Sequence, residues 1–321
     1  MLKWEFKKIY KDRSFLAILA ILIFNVVAMT FLNPHVNYEE EKKSHYMNVK
    51  SLSGISILKD NDDLDKDTKD LSEMAYDKLQ KDSGEEYKDL EFYRMFYFRI
   101  SNALLNISMC IIIFIIFSKI YVEERESNVD SILLSSKKRY NALYSKLGLS
   151  LIIPTFIYVT YIVVIGVITA MQYGFSNMGY LQAYRIADNP LLLKGSFTIN
   201  QYLALTVMTI LGLYIILALF TSMCSFLSKN SVSSIAGATV VLILFKVLSE
   251  LRFLPEGILN ILKNINFIDL FRSPQMFIGT YKGNIILLSN NLDILNLCYL
   301  ILFLLIVLGI MINIYIFKKL L

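Results

Sequence analysis

Residues 294–317 read ILNLCYLILFLLIVLGIMINIYIF, 24 positions without one charged side chain. An unpaired backbone amide in hydrocarbon costs several kcal/mol, so a segment this apolar crosses a bilayer as a helix, or as one strand of a closed barrel. The run is too long and too continuously apolar for a barrel strand. Five further runs have the same character, at 15–32, 100–122, 147–171, 202–227 and 233–251. Together they predict an all-α integral membrane protein with six spans.

Composition agrees. Of 321 residues 55% are hydrophobic, and mean hydropathy is +0.52. A soluble domain carries about 45–50% apolar residues on a count that also includes glycine. Cys110, Cys224 and Cys298 each sit inside an apolar run, which argues against a disulfide framework and a thiolate metal site. His35 and His45 share one polar stretch, so a histidine metal centre is not expected.

Basic residues orient the spans. Lys3, Lys7, Lys8, Lys11 and Arg13 precede the first run. Lys119, Arg125, Lys137, Lys138, Arg139 and Lys146 flank or fill the second connection, Lys229 follows the fourth run, and Lys318 and Lys319 lie near the end. Alternating spans place them all on one side, the cytoplasm, with both termini inside a plasma membrane. The first run has no convincing small-x-small cleavage site and reads as a signal anchor. Within residues 1–14, Leu2, Phe6 and Ile9 share one helical face. That pattern suits an interfacial amphipathic helix, or ordinary positive flanking residues.

The outer side comprises an acidic loop over 33–99, a shorter loop over 172–201 and the segment 252–293. Residues 34–93 hold sixteen Asp and Glu against nine Lys, a net charge of −7. Segment 252–293 is moderately apolar and broken by Pro255, Pro274, Gly279 and Gly283. Its runs 257–262 and 265–271 are too short to span. They read as re-entrant or interfacial outer helices before the last span, turning near Asn264 and covered by protein.

No catalytic constellation is present in the sequence. It has no phosphate-binding glycine loop ending in Lys-Ser/Thr, no nucleophile elbow and no His-Glu-x-x-His. An enzyme is therefore not expected, and ATP hydrolysis would belong to another chain. The stretch DNDDLDKDTKD at 60–70 fails as a calcium loop. With Asp63, Asp65 and Asp67 in the first ligand positions, Thr68 falls where glycine is needed and Met74 where the bidentate Glu belongs. It reads as a solvated acidic helix or loop.

The most informative polar segment is 123–146, beginning EERESNVDSILLSSKKR. Val129, Ile132 and Leu133 would share a helical face, with Leu134 beside them, and nothing within the loop can bury them. The segment reads as a plain solvated connector or, because an apolar cluster rimmed by charge is typical of one, as a docking surface for another protein. Here the chain resembles the permease subunits of ABC-2 type transporters. In that family acidic residues after the second span are followed by Gly-Thr, a Leu-Leu-Ser-like run, an Arg and a later Lys. The matching residues are Glu124 and Glu126, Asp130, Leu133-Leu134-Ser135, Arg139 and Lys146. Asn128-Val129, or Ser127-Asn128 in another register, stands in place of Gly-Thr, and Asn tolerates the left-handed turn better than most residues.

The resemblance implies an ATPase-coupling segment made of Glu124, Glu126, Asn128, Val129, Asp130, Ile132, Leu133, Leu134 and Arg139. It further implies two ATPase subunits carrying ATP and Mg, a dimer with itself or a related permease, and no cofactor on this chain. The Leu-Leu-Ser-Ser-Lys flavour and the acidic first loop are most similar to exporters of amphipathic or antimicrobial peptides, such as phenol-soluble modulins and bacteriocins. A membrane receptor or immunity protein that binds an extracellular ligand without transport is the rival reading.

Ionisable groups within spans are functional candidates. Lys246 and Glu250 stand four apart on one face, Lys246 about 20 Å from the start of its span at Ser233. They read as a structural pair near an outer gate, as substrate contacts or as a proton relay. Asn25, Asn102, Asn106 and Asn313 read as interhelical glue or pore lining, and Tyr158 and Tyr161 as packing or substrate stacking. The translocation-path candidates are thus Lys246, Glu250, Asn106, Tyr158 and Asn25. Single cysteines at Asp65 and Lys137 test the topology: an impermeant thiol reagent applied to intact cells should label only Asp65→Cys. Labelling confined to Lys137→Cys would invert the arrangement.

Overall fold

The computed structural model describes residues 2–12, 14–32, 66–82, 90–129, 135, 139–188, 192–251, 255–287 and 290–320. Among them six helical stretches are long and apolar enough to cross a membrane. In chain order the helices are α1 (Leu2–Lys11), α2 (Ser14–Phe31), α3 (Lys66–Asp82), α4 (Glu91–Ser101), α5 (Ala103–Phe117) and α6 (Val122–Glu126). Then follow α7 (Arg139–Tyr173), α8 (Ile199–Leu227), α9 (Ser231–Glu250), α10 (Glu256–Asn264) and α11 (Phe267–Arg272). The hairpin β1 (Asn284–Leu287) and β2 (Asn290–Asp293) leads into α12 (Ile294–Leu320). The spans are α2, the continuous stretch Glu91–Glu126 containing α4 to α6, α7, α8, α9 and α12.

Helix α8 is the axis of the bundle and the most enclosed span. Its start is set by a capping box: the Thr198 hydroxyl accepts from the Gln201 amide, and the Gln201 side chain accepts from the Thr198 amide. It ends at Leu227, and only Ser228–Asn230 separate it from α9, so the two are antiparallel neighbours. Helix α12 packs against it at close range. A Cβ added at Gly309 would stand 3.2 Å from the Leu219 side chain. One turn on, the Asn313 amide donates to the Leu219 and Gly309 carbonyls and accepts from Ser222. Small residues and side-chain amides hold helices together where no hydrophobic effect operates between them. The outer stripes are apolar instead, as on α7 with Phe156, Val163 and Val167 exposed, a surface suited to lipid.

The second span is broken. Asn102 is extended (φ −66°, ψ 136°) between α4 and α5, and its side chain accepts from the Leu104 amide as the cap of α5. The carbonyls released by the break find side-chain donors: Tyr161 for Arg99, and Asn106 for Ser101. The break itself is half-exposed at Asn102, and these side-chain hydrogen bonds satisfy the backbone groups it would otherwise leave unpaired.

Helices α10 and α11 lie where two short helices are expected from the sequence, separated by Ile265 and Asn266. Asn266 caps α11 through the Ile268 amide. Three rings show how far α11 reaches. Phe271 stacks on Tyr214 at 6.0 Å, and Phe267 sits 5.1 Å from Phe245 and 6.2 Å from Phe220. Tyr214 is half-way along the 29 residues of α8, and Phe220 lies beyond it. The bundle end bearing α10 is closed by the bridges Gln182–Thr198 and Leu193–Thr280 and by the Lys194–Asp293 ion pair. Asn284 donates to Asp70, linking β1 to α3.

Several boundaries differ from the sequence expectation. The second span extends back to Glu91 and is interrupted, and α7 starts at Arg139 instead of 147. The expected acidic loop contains α3, and segment 252–293 contains a hairpin. In α1 the residues turned to the protein are Glu5, Lys8 and Ile9, where ionic partners await the first two, and Phe6 stays exposed. Gly309→Val should lower the detergent unfolding midpoint, equivalent to about 1–3 kcal/mol of overpacking. Gly212→Ala, which meets nothing within 4 Å, should leave that midpoint unchanged or raise it.

Candidate functional site

The segment after α5 forms an elbow rather than an open loop. Ser118 closes α5 and the chain turns through Lys119–Tyr121 into the five-residue α6. Asn128 then adopts φ +55°, the only positive φ at a non-glycine position among the described residues. That turn lets the Val129 amide reach back to the Glu124 carbonyl at 2.9 Å and terminates the helix.

The elbow is fastened to α8. The Ser225 hydroxyl accepts from the Tyr121 and Val122 amides at 3.1 and 3.3 Å. Arg125 donates to the Ser228 and Phe226 carbonyls at 2.6 and 3.0 Å, and its guanidinium lies 5.3 Å from the Tyr121 ring. Tyr121, Phe226 and Phe317 are fully buried together, with centroids 5.0 to 6.4 Å apart, which adds α12 to the contact.

Behind the elbow lies a buried ionic cluster. Lys146, on the first turns of α7, is 1% exposed and Glu124 is 2% exposed. The Lys146 ammonium is 2.7 Å from Glu124, 3.3 Å from Glu5 of α1, and donates to the Ile120 carbonyl at 2.6 Å. Lys8 reaches Glu123 at 3.3 Å and Glu124 at 3.8 Å, so the second carboxylate has a second cation. Lys119 pairs with Asp12 at 2.9 Å, and Ser14 also donates to that carboxylate. Burial alone would raise the pKa of Asp12. The Ser14 and Lys119 hydrogen bonds and the Lys119 charge outweigh it and hold the carboxyl below its ordinary value. The stabilisation so gained is present above the unfolded carboxylate range and is lost as pH falls through the depressed value.

The expected coupling residues divide. Glu124 is buried in the ionic cluster, whereas Glu126, Asn128 and Val129 are exposed along the outer edge of the elbow. Arg139 opens α7 and lies over the Tyr140 ring at 5.4 Å. Asp130, Ile132, Leu133 and Leu134 lie outside the described residues.

Of the path candidates, only Asn106 and Tyr158 are brought together, through Tyr214. Asn106 accepts from the Tyr214 hydroxyl at 2.7 Å, and Tyr158 packs edge-on against the same ring at 5.2 Å. Asn25 accepts from Ser108, joining α2 to α5. These three are buried between helices. Lys246 and Glu250 lie elsewhere, 3.5 Å apart and exposed, and Lys246 makes a closer contact of 3.0 Å to Asp269 of α11. Asp269 was not a sequence candidate, because nothing local marks it as a partner for α9.

Arg99 is a second such residue. It is fully buried where the ends of α2, α4 and α7 meet, and donates to Thr169 at 2.7 Å, Gln172 at 2.6 Å and the Thr30 carbonyl at 3.2 Å. Its position one residue before an apolar run made it look like a flanking cation. Glu5 was masked in the same way, as a lone acid among lysines.

Comparisons with protein-family models, curated proteins and solved structures find no match to this chain. Removing one member of a buried ion pair costs about 3–5 kcal/mol, because the other is left uncompensated. Lys146→Met should therefore destabilise the detergent-solubilised protein by that order, and much less in a Glu5→Gln, Glu124→Gln background. Equal costs in both backgrounds would show that the cluster is not an energetic unit.

Proposed function

We propose that the chain is the transmembrane subunit of an ABC-2 type exporter in a bacterial plasma membrane. In this reading both termini are cytoplasmic, and two copies, or this chain and a related one, enclose the path. Two separate ATPase subunits dock beneath and hold the ATP and Mg. The observation that carries it is the elbow: residues 120–129 bind α1, α7, α8 and α12 at once, while Val129 and Glu126 remain exposed beside them. A push on that edge is passed to four helices through contacts that are buried and mostly ionic or aromatic. A short connector serving only to join two spans would need none of them.

ATP-driven closure of the partner subunits would tilt this end of the bundle. The energy comes from the partner, and this chain supplies two states with different affinity for the cargo. The depth reached by the α11 rings supports a re-entrant role for α10 and α11 next to an outward opening. The ion-paired docking of α1 beside the start of α2 supports an interfacial one for α1. The cargo is read from the resemblance as an amphipathic, antimicrobial or toxic peptide moved out of, or away from, the membrane.

Val129→Asp tests the proposal without touching a span. Val129 is 39% exposed, so the variant should insert and fold normally. Burying a valine at an interface is worth about 1.5–3 kcal/mol, and a charge there adds a desolvation cost. Pull-down of the tagged chain from mild detergent should recover an ATPase with a phosphate-binding loop from wild type, and ten-fold less from the variant. Asp77→Lys on α3 should behave as wild type. Undiminished recovery with Val129→Asp, or no ATPase with either chain, would overturn the reading, and the second result would favour a receptor.

A further inference from the structure

Helix α1 is turned inside out relative to an amphipathic helix docked in water. Glu5 and Lys8 face the protein, held by Lys146 and by Glu123 and Glu124, while three rings lie on the exposed side, Tyr10 beside Phe15 at the start of α2. Trp4 is 57% exposed, Phe6 38% and Tyr10 67%. Lys3, Lys7 and Lys11 lie between these rings on the outward arc, and all three are exposed. The acids of this region are engaged elsewhere, Glu5 by Lys146 and Asp12 by Lys119 and Ser14. The outward arc therefore bears three cations and no carboxylate. Lys229, just past the end of α8, and Lys318 and Lys319, in the last turn of α12, are exposed and add to the positive charge of this end of the bundle.

Three lysines flanked by rings on one arc suit the headgroup region, where rings enter the acyl boundary and ammoniums reach phosphates. Position agrees, since α2 begins three residues after α1 ends. We propose that the outward face of α1 is a binding surface for anionic phospholipid, selecting these headgroups from the surrounding leaflet. The inference rests on the membrane reading of the bundle and is independent of any ATPase. Its consequence is local: the same helix that holds the lipid holds the elbow through Glu5 and Lys8.

Trp4 is the only tryptophan in the chain and so reports on α1 alone. The full-length protein is placed in nanodiscs mixing phosphatidylglycerol and phosphatidylcholine, with brominated acyl chains on one lipid or the other. Trp4 should be quenched preferentially by the brominated anionic lipid, corresponding to about ten-fold enrichment at low salt and less at high salt. In the combined Lys3→Gln, Lys7→Gln, Lys11→Gln variant both lipids should quench equally, with an unchanged elution profile. Quenching by aqueous acrylamide and by neither lipid would overturn the proposal. So would equal quenching by both lipids in wild type, or a preference that survives in the variant.

Discussion

Burying one ammonium between two carboxylates is the constraint around which one end of this molecule is organised. Lys146 can be taken out of water only if Glu5, Glu124 and the Ile120 carbonyl all reach it. These groups come from α1, from the elbow and its approach, and from α7. An uncompensated charge in such a place costs several kcal/mol, so the three segments have one acceptable arrangement. The elbow is thereby given a fixed shape, and Arg125 and Ser225 extend the fixation to α8. A five-residue helix has little stability of its own; here its neighbours hold it.

The other end is built on a different principle. Arg99 is buried among neutral acceptors, and the broken backbone at Asn102 is repaired by Tyr161 and Asn106. Hydrogen bonds between helices contribute modestly each in lipid, but an unmade one is expensive, so such repairs are completed. The aromatic side chains of α11 fill the space between α8 and α9 to mid-height. One end is thus locked by a buried ionic cluster, while at the other the buried Arg99 is met by neutral acceptors and rings fill the space between helices.

The six spans could be read from the sequence because lipid imposes length and apolarity on each segment by itself, with no reference to its neighbours. The short helices before the last span were readable for a related reason: Pro255 and Pro274 bracket the pair, and each run between them is too short to span. Interactions that need a second segment were not readable. Glu124 and Lys146 stood out through the family resemblance, yet Glu5 did not, since its partner lies far along the chain. Asp269 was hidden likewise, while Glu250, four residues from Lys246, offered the obvious but longer contact. Asn102 could not be told from the interhelical asparagines, because a cap and a bridge use the same side chain. The protein-facing side of α1 was not readable from apolar periodicity, because it is set by Glu5 and Lys8, whose partners lie far along the chain.

These contacts also say where the bundle can yield. The elbow joins α1, α7, α8 and α12 through buried partners, so those helices respond as one body. Helix α9 is the least enclosed span. Near its start it meets α8 through Ser234 and the Thr221 carbonyl at 3.5 Å, and Gly237 packs near Cys224. Near its end its polar tie is Lys246 to Asp269, with both partners partly exposed. Exposed ion pairs are worth little, and breaking one leaves neither charge stranded in the interior. On the exporter reading, a displacement imposed at the elbow is therefore taken up between α8 and α9, with α10 and α11 carried between them. The charges of that seam, Lys246, Glu250 and Asp269, are the ones such a displacement would bring to the opening.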